Sequence, residues 1–298
     1  MSKIFISGAN GFIGRVLSRQ LVQAGHEVVG GVRKPTSLVD GVTPLITGDL
    51  ADSAPSLKNV DVVIHTAGQA HQSGTQTTPL IRNNITAAEN LAQATPDSAR
   101  FILFSSIVVY GRSCPTPVTD TTLPTPIDDY ARSKLKAEQR LAEILGDRLQ
   151  IIRPAAVIGP HCPGNIPLLL KAIASGLPLP LGAVRNARSF IDVEDLAQLI
   201  SLMVEKATPR LVLAAHPTPI STPDLIRALA SGLNRPARLV PVPAAWLALA
   251  TRLTGKSRIW QSLAGDLIVR PDAALQLGWT PATTIAASFE KTAAQRQK

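Results

Sequence analysis

The start of the chain reads as a short buried strand, a glycine-rich turn and an amphipathic helix. The predicted strand is Lys3-Ile4-Phe5-Ile6-Ser7, and it leads directly into Gly8, Gly11 and Gly14, spaced Gly-x-x-Gly-x-x-Gly. Apolar residues then recur at helical spacing until a glycine stop (Val16, Leu17, Leu21, Val22, Gly25). Glycines let a backbone approach a ligand closely, and a helix N-terminus offers N–H donors and a positive dipole. This order of elements predicts a pyrophosphate site.

Further apolar runs follow the first strand at regular intervals. We predict strands over residues 26–33, 45–47, 60–65 and 100–106, with a helix through Asn84 between the last two. Alternating strands and helices favour a parallel sheet covered on both faces. Ligands of such sheets bind beyond the carboxyl ends of the strands. Four residues fall at those ends: Gly8, Asp49, Ala67 and Ser106.

The end of the second predicted strand bears on the choice of dinucleotide. An acidic residue there binds the adenosine ribose hydroxyls of NAD, whereas an Arg accommodates the extra phosphate of NADP. This chain has Val32 and Arg33 at that point, then Lys34, and no acid. Arg33 therefore favours NADP over NAD. A solvated basic turn ahead of Pro35 is the alternative.

Tyr130 and Lys134 stand four residues apart in a segment with helical periodicity, so their side chains share one face. Asp128 and Asp129 precede them, where a helix N-terminus favours negative charge. An ammonium close to a phenol stabilises the phenolate. We therefore expect the pKa of Tyr130 to fall from about 10 toward neutrality. Such a Tyr could transfer protons; the alternative is an ordinary surface helix.

Composition excludes several classes of protein. The net charge of +9 suits an anionic ligand, but no Lys/Arg run and only 4% aromatic residues are present, so we expect no nucleic-acid partner. Two cysteines and no secretory leader or membrane-length apolar run favour a cytoplasmic protein without stable membrane insertion. His65, His71 and His161 lack metal-ligand spacing, so no metal is expected.

Several motifs occur in a fixed order: the glycine-rich turn, Asp49-Leu50, Ser105-Ser106 with Tyr110-Gly111, Tyr130-x-x-x-Lys134, and Arg153-Pro154. Together they resemble the extended short-chain dehydrogenase/reductases, the nucleotide-sugar epimerases, dehydratases and ketoreductases, over the whole chain. The second half resembles a narrower group of O-antigen synthesis, the bacterial UDP-N-acetylquinovosamine 4-dehydrogenase/4-ketoreductases and UDP-hexose 4-epimerases. The segments that carry this likeness are 176–183, 188–193, 221–227, 240–243 and 277–281.

The resemblance implies roles for individual residues. Tyr130 would exchange a proton with the sugar's C4 oxygen, Ser106 would hydrogen-bond that oxygen, and Lys134 would hold the nicotinamide ribose and keep Tyr130 acidic. Asn84 would support Lys134; the alternative interpretation, nearly as well supported, is an Asn on the surface of its helix. The implied cofactor-binding set is Gly8, Asn10, Gly11, Phe12, Ile13, Gly14, Arg33, Asp49, Leu50, Ala67, Asn84, Tyr130, Lys134 and Pro154.

The resemblance also places a substrate site in the second half. Asn165 and Arg188 match positions that contact the diphosphate of a UDP-sugar, and a planar guanidinium suits that group. Many relatives carry another Arg just before a Gly-Asp pair, but Ala264 precedes Gly265 here. Arg252 or Arg258 could substitute.

The chain lacks residues that some members of this family need, and this limits the reactions that it could catalyse. The 4,6-dehydratases of this family carry an Asp-Glu pair after the strand-end Ser, where this chain has Ile107 and Val108. Cys114 lies too far along to act as in 3,5-epimerases and is expected to be a loop thiol. We therefore expect 4-keto reduction to a 6-deoxy-hexosamine such as UDP-N-acetylquinovosamine. The alternative is a UDP-glucose or UDP-N-acetylglucosamine 4-epimerase, and a remote one is a non-catalytic dinucleotide sensor.

The expected architecture is a Rossmann-type doubly wound α/β domain with a smaller C-terminal substrate-binding lobe. The domain would span residues 1–160 with a return near 185–215, and residues 161–298 would form mainly the lobe. We expect a helix capped by Thr222, and another over 243–252 that is a core or lid helix rather than a membrane-surface one. A homodimer is possible by analogy alone.

Overall fold

The computed structural model describes residues 1–68, 80–255 and 257–296. Its centre is a seven-stranded sheet in which every neighbouring pair is parallel. The strands are β1 Lys3–Ser7, β2 Glu27–Val32, β3 Val42–Ile46, β4 Val62–His65, β5 Arg100–Phe104, β6 Leu149–Pro154 and β9 Leu211–Ala214, in the spatial order β3-β2-β1-β4-β5-β6-β9. A separate pair joins β7 Ala156–Ile158 to β8 Phe190–Asp192. The predicted doubly wound fold is confirmed.

Helices cover both faces of the sheet and build the lobe beside it. Their bounds are α1 Phe12–Gln23, α2 Ala87–Gln93, α3 Asp129–Leu145, α4 Ile166–Ala174, α5 Val193–Glu205, α6 Thr222–Gly232, α7 Ala244–Leu253, α8 Ser257–Ala264, α9 Asp272–Gln276 and α10 Ile285–Ala294. A π-helical turn, Arg82–Thr86, precedes α2, and 3-10 turns occupy Ile107–Tyr110 and Gly146–Arg148.

Side chains that alternate along each strand point to opposite faces of the sheet, and this explains the two layers of helices. Ile4 and Ile6 of β1 pack with α1 and α5, while Phe5 between them packs with α2 and α3. Because both faces are covered by apolar helix surfaces, the strands are buried along most of their length. This arrangement leaves the carboxyl ends of the strands as the accessible edge.

The C-terminal lobe has a core of its own, formed by α4, α6 and α10. Ile226 and Phe289 are fully buried there, and Phe289 meets Phe190 edge-on at 5.1 Å between ring centroids. The chain also returns to the main domain, since α5 packs on the sheet and β9 extends it. The exact domain borders stay a prediction.

Three local predictions were wrong. β3 covers Val42–Ile46 rather than 45–47, because its pairing with β2 begins at Val42. The cap of α6 is Ser221, whose hydroxyl accepts the N–H of Asp224, and Thr222 is already helical. None of the residues of α7 is buried, so the interpretation of this helix as a core helix is wrong, and its interpretation as a lid stays a prediction. In the described part of the chain, no helix is long and apolar enough to cross a membrane.

Candidate active site

The glycine-rich turn after β1 is held by its own backbone. Gly8 adopts φ +73, a conformation that favours glycine, and its carbonyl accepts the N–H of Gly11 at 2.9 Å. A Cβ on Gly14 would lie 2.2 Å from the carbonyl oxygen of Gly8, so only glycine fits there. Gly11 is the N-cap residue of α1 and has no side chain to cap the helix, which leaves the first N–H groups of the helix for an anion.

A cavity of about 700 Å³ runs from this turn across the ends of β1, β2 and β4. Of the predicted cofactor-binding residues, it brings together Gly8, Asn10, Arg33, Leu50 and Ala67. Its other lining residues are Gly31, Val32, Lys34, Pro35, Thr36, Thr47, Gly68, Asn83 and Ala87. A cavity lined at one place by the turn before a helix N-terminus and at another by two cations fits a dinucleotide.

The far end of the cavity is basic. Arg33 is exposed, and its Nη2 donates to Asn83 Oδ1 at 3.2 Å. The carboxylate of Asp49 is held outside the cavity lining, because it accepts the N–H of Ala51 at 3.0 Å and pairs with Arg82 at 3.2 Å. These contacts hold the pKa of Asp49 below its usual value. Leu50 thus faces the cavity whereas Asp49 does not.

Helix α3 carries the predicted acid/base pair, and Asp128 fixes where that helix begins. Its Oδ1 accepts the N–H of Ala131 at 2.9 Å, and its Oδ2 accepts both Nε and Nη2 of Arg112 at 3.0 and 2.6 Å. Asp128 is buried, so both partners are needed to compensate its charge. Tyr130 is the second residue of the helix and Lys134 lies one turn later.

Burial raises the pKa of Tyr130 above its ordinary value, although a hydrogen bond from Ser106 acts in the opposite direction. The expectation that Lys134 lowers this pKa toward neutrality is therefore wrong. Desolvation outweighs the favourable contacts. Tyr130 is a neutral phenol that is hydrogen-bonded to Ser106, the residue predicted to share its role.

The ammonium group of Lys134 points instead to the end of β5. Its Nζ donates to the carbonyl oxygen of Phe104 at 2.9 Å, and burial lowers its pKa to about 8. A Cβ on Gly68 would lie 3.3 Å from this Nζ and 3.0 Å from Oδ1 of Asn84. Gly68 also lines the cavity, so Lys134 and Asn84 both reach its wall.

Asn84 is buried in the π-helical turn and connects to α3. Its Nδ2 donates to Ser133 Oγ at 3.0 Å, and that hydroxyl donates to the carbonyl oxygen of Tyr130 at 2.8 Å. The reading of Asn84 as a surface residue is wrong. Its partner Ser133 precedes Lys134 on α3, and the support of Lys134 by Asn84 stays a prediction.

A buried polar cluster behind Lys134 was not predicted. The carboxylate of Glu138 accepts hydrogen bonds from Ser105 and from Nε and Nη2 of Arg153, and Arg153 also donates to the hydroxyl of Tyr110. Glu138 lies one turn after Lys134 on the same helix face, and its charge raises the pKa of that Lys. The i, i+4 spacing from Lys134 to Glu138 is the sequence signal that could have revealed it.

The predicted substrate residues lie in the lobe. Asn165 is exposed at the start of α4. Arg188 Nη1 donates to the carbonyl oxygens of Gly265, Arg112 and Gln261 at 2.8, 3.1 and 3.3 Å. Burial, followed by the nearby charge of Arg112, lowers the pKa of Arg188 to about 10.

Arg252 and Arg258 are the cations predicted to replace the missing second Arg. Arg252 is exposed on α7, and the side chain of Arg258 lies outside the described residues. Arg188 itself reaches Gly265, the position beside which relatives carry that Arg.

His65, Cys114 and the expected absence of a metal are the remaining predictions about histidine and cysteine. His65 is buried, contacts Ser7 Oγ at 2.8 Å, and has its pKa lowered by burial to about 3. The thiol of Cys114 donates to the carbonyl of Tyr110. His71 lies outside the described residues. Across residues 1–68, 80–255 and 257–296, no group of three or more His, Cys, Asp or Glu could hold a metal ion.

Residues 4–214 match the model of the NAD dependent epimerase/dehydratase family. Because this match covers more than half of the chain, the protein belongs to that family. The predicted family resemblance is thereby confirmed.

Several proteins named as epimerases, or as members of an epimerase family, are similar to this chain over nearly its whole length. A UDP-glucose 4-epimerase of Vibrio cholerae is 33% identical over 97% of this chain and 94% of its own. UDP-glucuronic acid 4-epimerase from Bacillus cereus, solved with NAD, shares the fold at a TM-score of 0.78 and 20% identity, covering 99% of this chain and 98% of its own. Human epimerase family protein SDR39U1, solved with NADPH, has a TM-score of 0.76 at 21% identity, with 98% and 99% covered.

Proposed function

We propose that the protein transfers hydride at C4 of a UDP-sugar and that its net reaction is reduction of a 4-keto-6-deoxy-hexosamine with NADPH. The observation that supports net reduction is the pair Arg33 and Lys34 in the cavity lining, which suits the extra phosphate of NADPH, the cofactor whose oxidation drives reduction of a ketone. The phenol of Tyr130 supplies the proton that the carbonyl oxygen takes up. The expected product is a 6-deoxy sugar such as UDP-N-acetylquinovosamine.

The roles that we propose for the site residues are those that the family resemblance implies. Tyr130 delivers its proton to the C4 oxygen, and Ser106 donates a hydrogen bond to the same oxygen as negative charge develops there. Lys134, whose Nζ donates to the carbonyl oxygen of Phe104, holds the ribose next to the nicotinamide. When bound in the cavity, the nicotinamide supplies the hydride.

NADPH is the proposed cofactor because Arg33 and Lys34 line the cavity. In the proposed binding mode, these two residues lie at the end that takes the adenosine ribose, and Tyr130 faces the nicotinamide at the other end. A ribose phosphate placed there would be paired with two cations. No carboxylate is among the described lining residues to accept the ribose hydroxyls of NAD. The proposed UDP-sugar would place its diphosphate near Asn165 and Arg188.

A UDP-hexose 4-epimerase is the second candidate, and the Vibrio cholerae relative favours it. An epimerase uses Ser106, Tyr130 and Lys134 in the same roles but retains its cofactor and returns the hydride to the opposite face of the sugar. A dinucleotide sensor is a weaker reading, because this chain keeps both Tyr130 and Lys134.

The test is to add UDP-4-keto-6-deoxy-N-acetylglucosamine and follow NADPH and NADH absorbance in parallel. Stoichiometric loss of NADPH, faster than that of NADH, is the expected result. Interconversion of UDP-glucose with UDP-galactose, or of their N-acetyl forms, without net loss of reduced cofactor would overturn the reductase in favour of the epimerase. Inactivity with every UDP-sugar, together with tight cofactor binding, would point to a sensor.

A further inference from the structure

Helix α7 presents an apolar face to solvent. Trp246, Leu249 and Leu253 follow one another at i, i+3, i+7 spacing, which places them on one side of the helix. They are 74%, 58% and 79% exposed, and none of them belongs to a core cluster of the described chain. With Ala245 and Ala250 they line a depression of about 500 Å³.

The opposite side of α7 holds the helix on the protein. Leu247 packs against the core of the C-terminal lobe, as does Trp260 of α8. The exposed face is therefore not the side by which α7 packs on the lobe, because the side that carries Leu247 already makes that contact. Contiguous exposed apolar surface of this kind usually marks a binding surface.

Charge indicates what this surface binds. Residues 228–265 contain no Asp or Glu, and their basic side chains are Arg235, Arg238, Arg252, Lys256 and Arg258. Arg252 lies in the last turn of α7 itself, and Arg238 lies shortly before the helix; both are exposed. An apolar face with Trp and Leu beside cations is complementary to a bilayer with anionic headgroups.

A second copy of this chain fits the surface less well. A twofold contact through α7 would bring the same basic segment of both copies together without an acidic residue from that segment to compensate. The binding surface would repel its own copy, whereas anionic lipid would attract it.

We propose that α7 is a membrane-surface helix that attaches the protein to a bilayer of anionic lipid. Trp246, Leu249 and Leu253 insert at the level of the headgroups and acyl chains, and Arg252 contacts the phosphates. This attachment is peripheral and is independent of the hydride-transfer reaction.

Leu253→Glu and Leu123→Glu form a matched pair for the test, since the two leucines are 79% and 81% exposed and each change adds one negative charge. The full chain and both variants are sedimented with vesicles of phosphatidylglycerol and phosphatidylethanolamine, and with phosphatidylcholine vesicles. We expect the unchanged chain and Leu123→Glu to bind the anionic vesicles alike, and Leu253→Glu to bind them about tenfold more weakly. Tryptophan emission should shift to the blue on binding, and Trp246→Phe should remove that shift because Trp279 is fully buried and Trp260 packs against the core of the C-terminal lobe.

Absence of vesicle binding by the unchanged chain would overturn the proposal. Equal binding by both Glu variants would also overturn it, because the attraction would then come from net charge alone. A dimer in sedimentation velocity that Leu253→Glu dissociates, without vesicle binding, would assign the surface to a second copy instead. Each variant is also assayed for turnover of a free UDP-sugar, so that failure of the proposed function is seen separately.

Discussion

The Nζ atom of Lys134 donates a hydrogen bond to the carbonyl oxygen of Phe104, 2.9 Å away, at the carboxyl end of β5. This contact ties α3 to the strand that is followed by Ser105 and Ser106. It also turns the ammonium group toward the backbone, while Ser106 hydrogen-bonds the phenol of Tyr130. The site is therefore organised by α3 lying across the end of β5, with the buried charge of Glu138 behind it.

Removing the phenol hydroxyl should abolish proton transfer and spare cofactor binding. We expect Tyr130→Phe to lower kcat by about 10²–10⁴-fold, the usual contribution of a positioned acid. Steady-state turnover and fluorescence titration with NADPH measure the two effects. Lys136→Ala, exposed on the same helix, serves as the control and should keep full turnover. Unchanged turnover in Tyr130→Phe would remove Tyr130 from the mechanism.

The cofactor preference should depend on Arg33. A charge-assisted hydrogen bond contributes about 1.5–3 kcal/mol, so Arg33→Ala should weaken NADPH binding by about tenfold to a hundredfold and leave NADH nearly unaffected. Equilibrium titration with each cofactor measures the ratio. Arg19→Ala, an exposed change on α1 outside the lining of the cofactor cavity, is the matched control. If both cofactors weakened equally, Arg33 would not read the ribose phosphate.

The buried cluster around Glu138 should matter for stability. Glu138→Gln leaves Arg153 buried without its counter-charge, and we expect the free energy of unfolding to fall by about 3–5 kcal/mol. The matched change, Glu143→Gln, breaks an exposed pair with Arg140 on the same helix and should cost less than about 1 kcal/mol. Urea unfolding of the three proteins gives the comparison. Similar values for the two variants would contradict a structural role for the cluster.

The lowered pKa of Lys134 predicts how stability changes at alkaline pH. Between its pKa of about 8 in the folded chain and the ordinary value of 10.5, the unfolded chain holds a proton that the folded chain has lost. Stability from this group therefore rises with pH across that window and is constant below it. We expect a gain of about 3 kcal/mol at most.

Lys134→Met removes this titrating group and serves as the reference. The free energy of unfolding of the unchanged chain should increase relative to that of Lys134→Met from pH 8 to 10.5. The difference cancels other groups, including Tyr130, whose raised pKa acts in the opposite direction above its ordinary value. A difference that stays flat, or that falls with pH, would show that Lys134 titrates normally.

Short-range patterns were enough to predict the layout of the domain. The alternation of apolar residues in β1 and the glycine spacing at Gly8, Gly11 and Gly14 act over a few residues, so they are visible in the chain itself. The same holds for Tyr130 and Lys134, which any helix places on one face. Arg33 could be placed at the end of β2 because strand order and ligand side are general properties of parallel sheets.

Tertiary contacts decided the electrostatics of the site. The pKa of Tyr130 depends on how deeply it is buried, and the direction of Lys134 depends on Phe104, a carbonyl far away in the chain. Arg188 likewise reaches Gly265 only because the lobe folds back on itself. The exposure of α7 is of the same kind, since an apolar segment becomes core or surface according to what packs against it. Spacing along a chain carries no information on desolvation or on distant partners, and these are what set charge states and free surfaces.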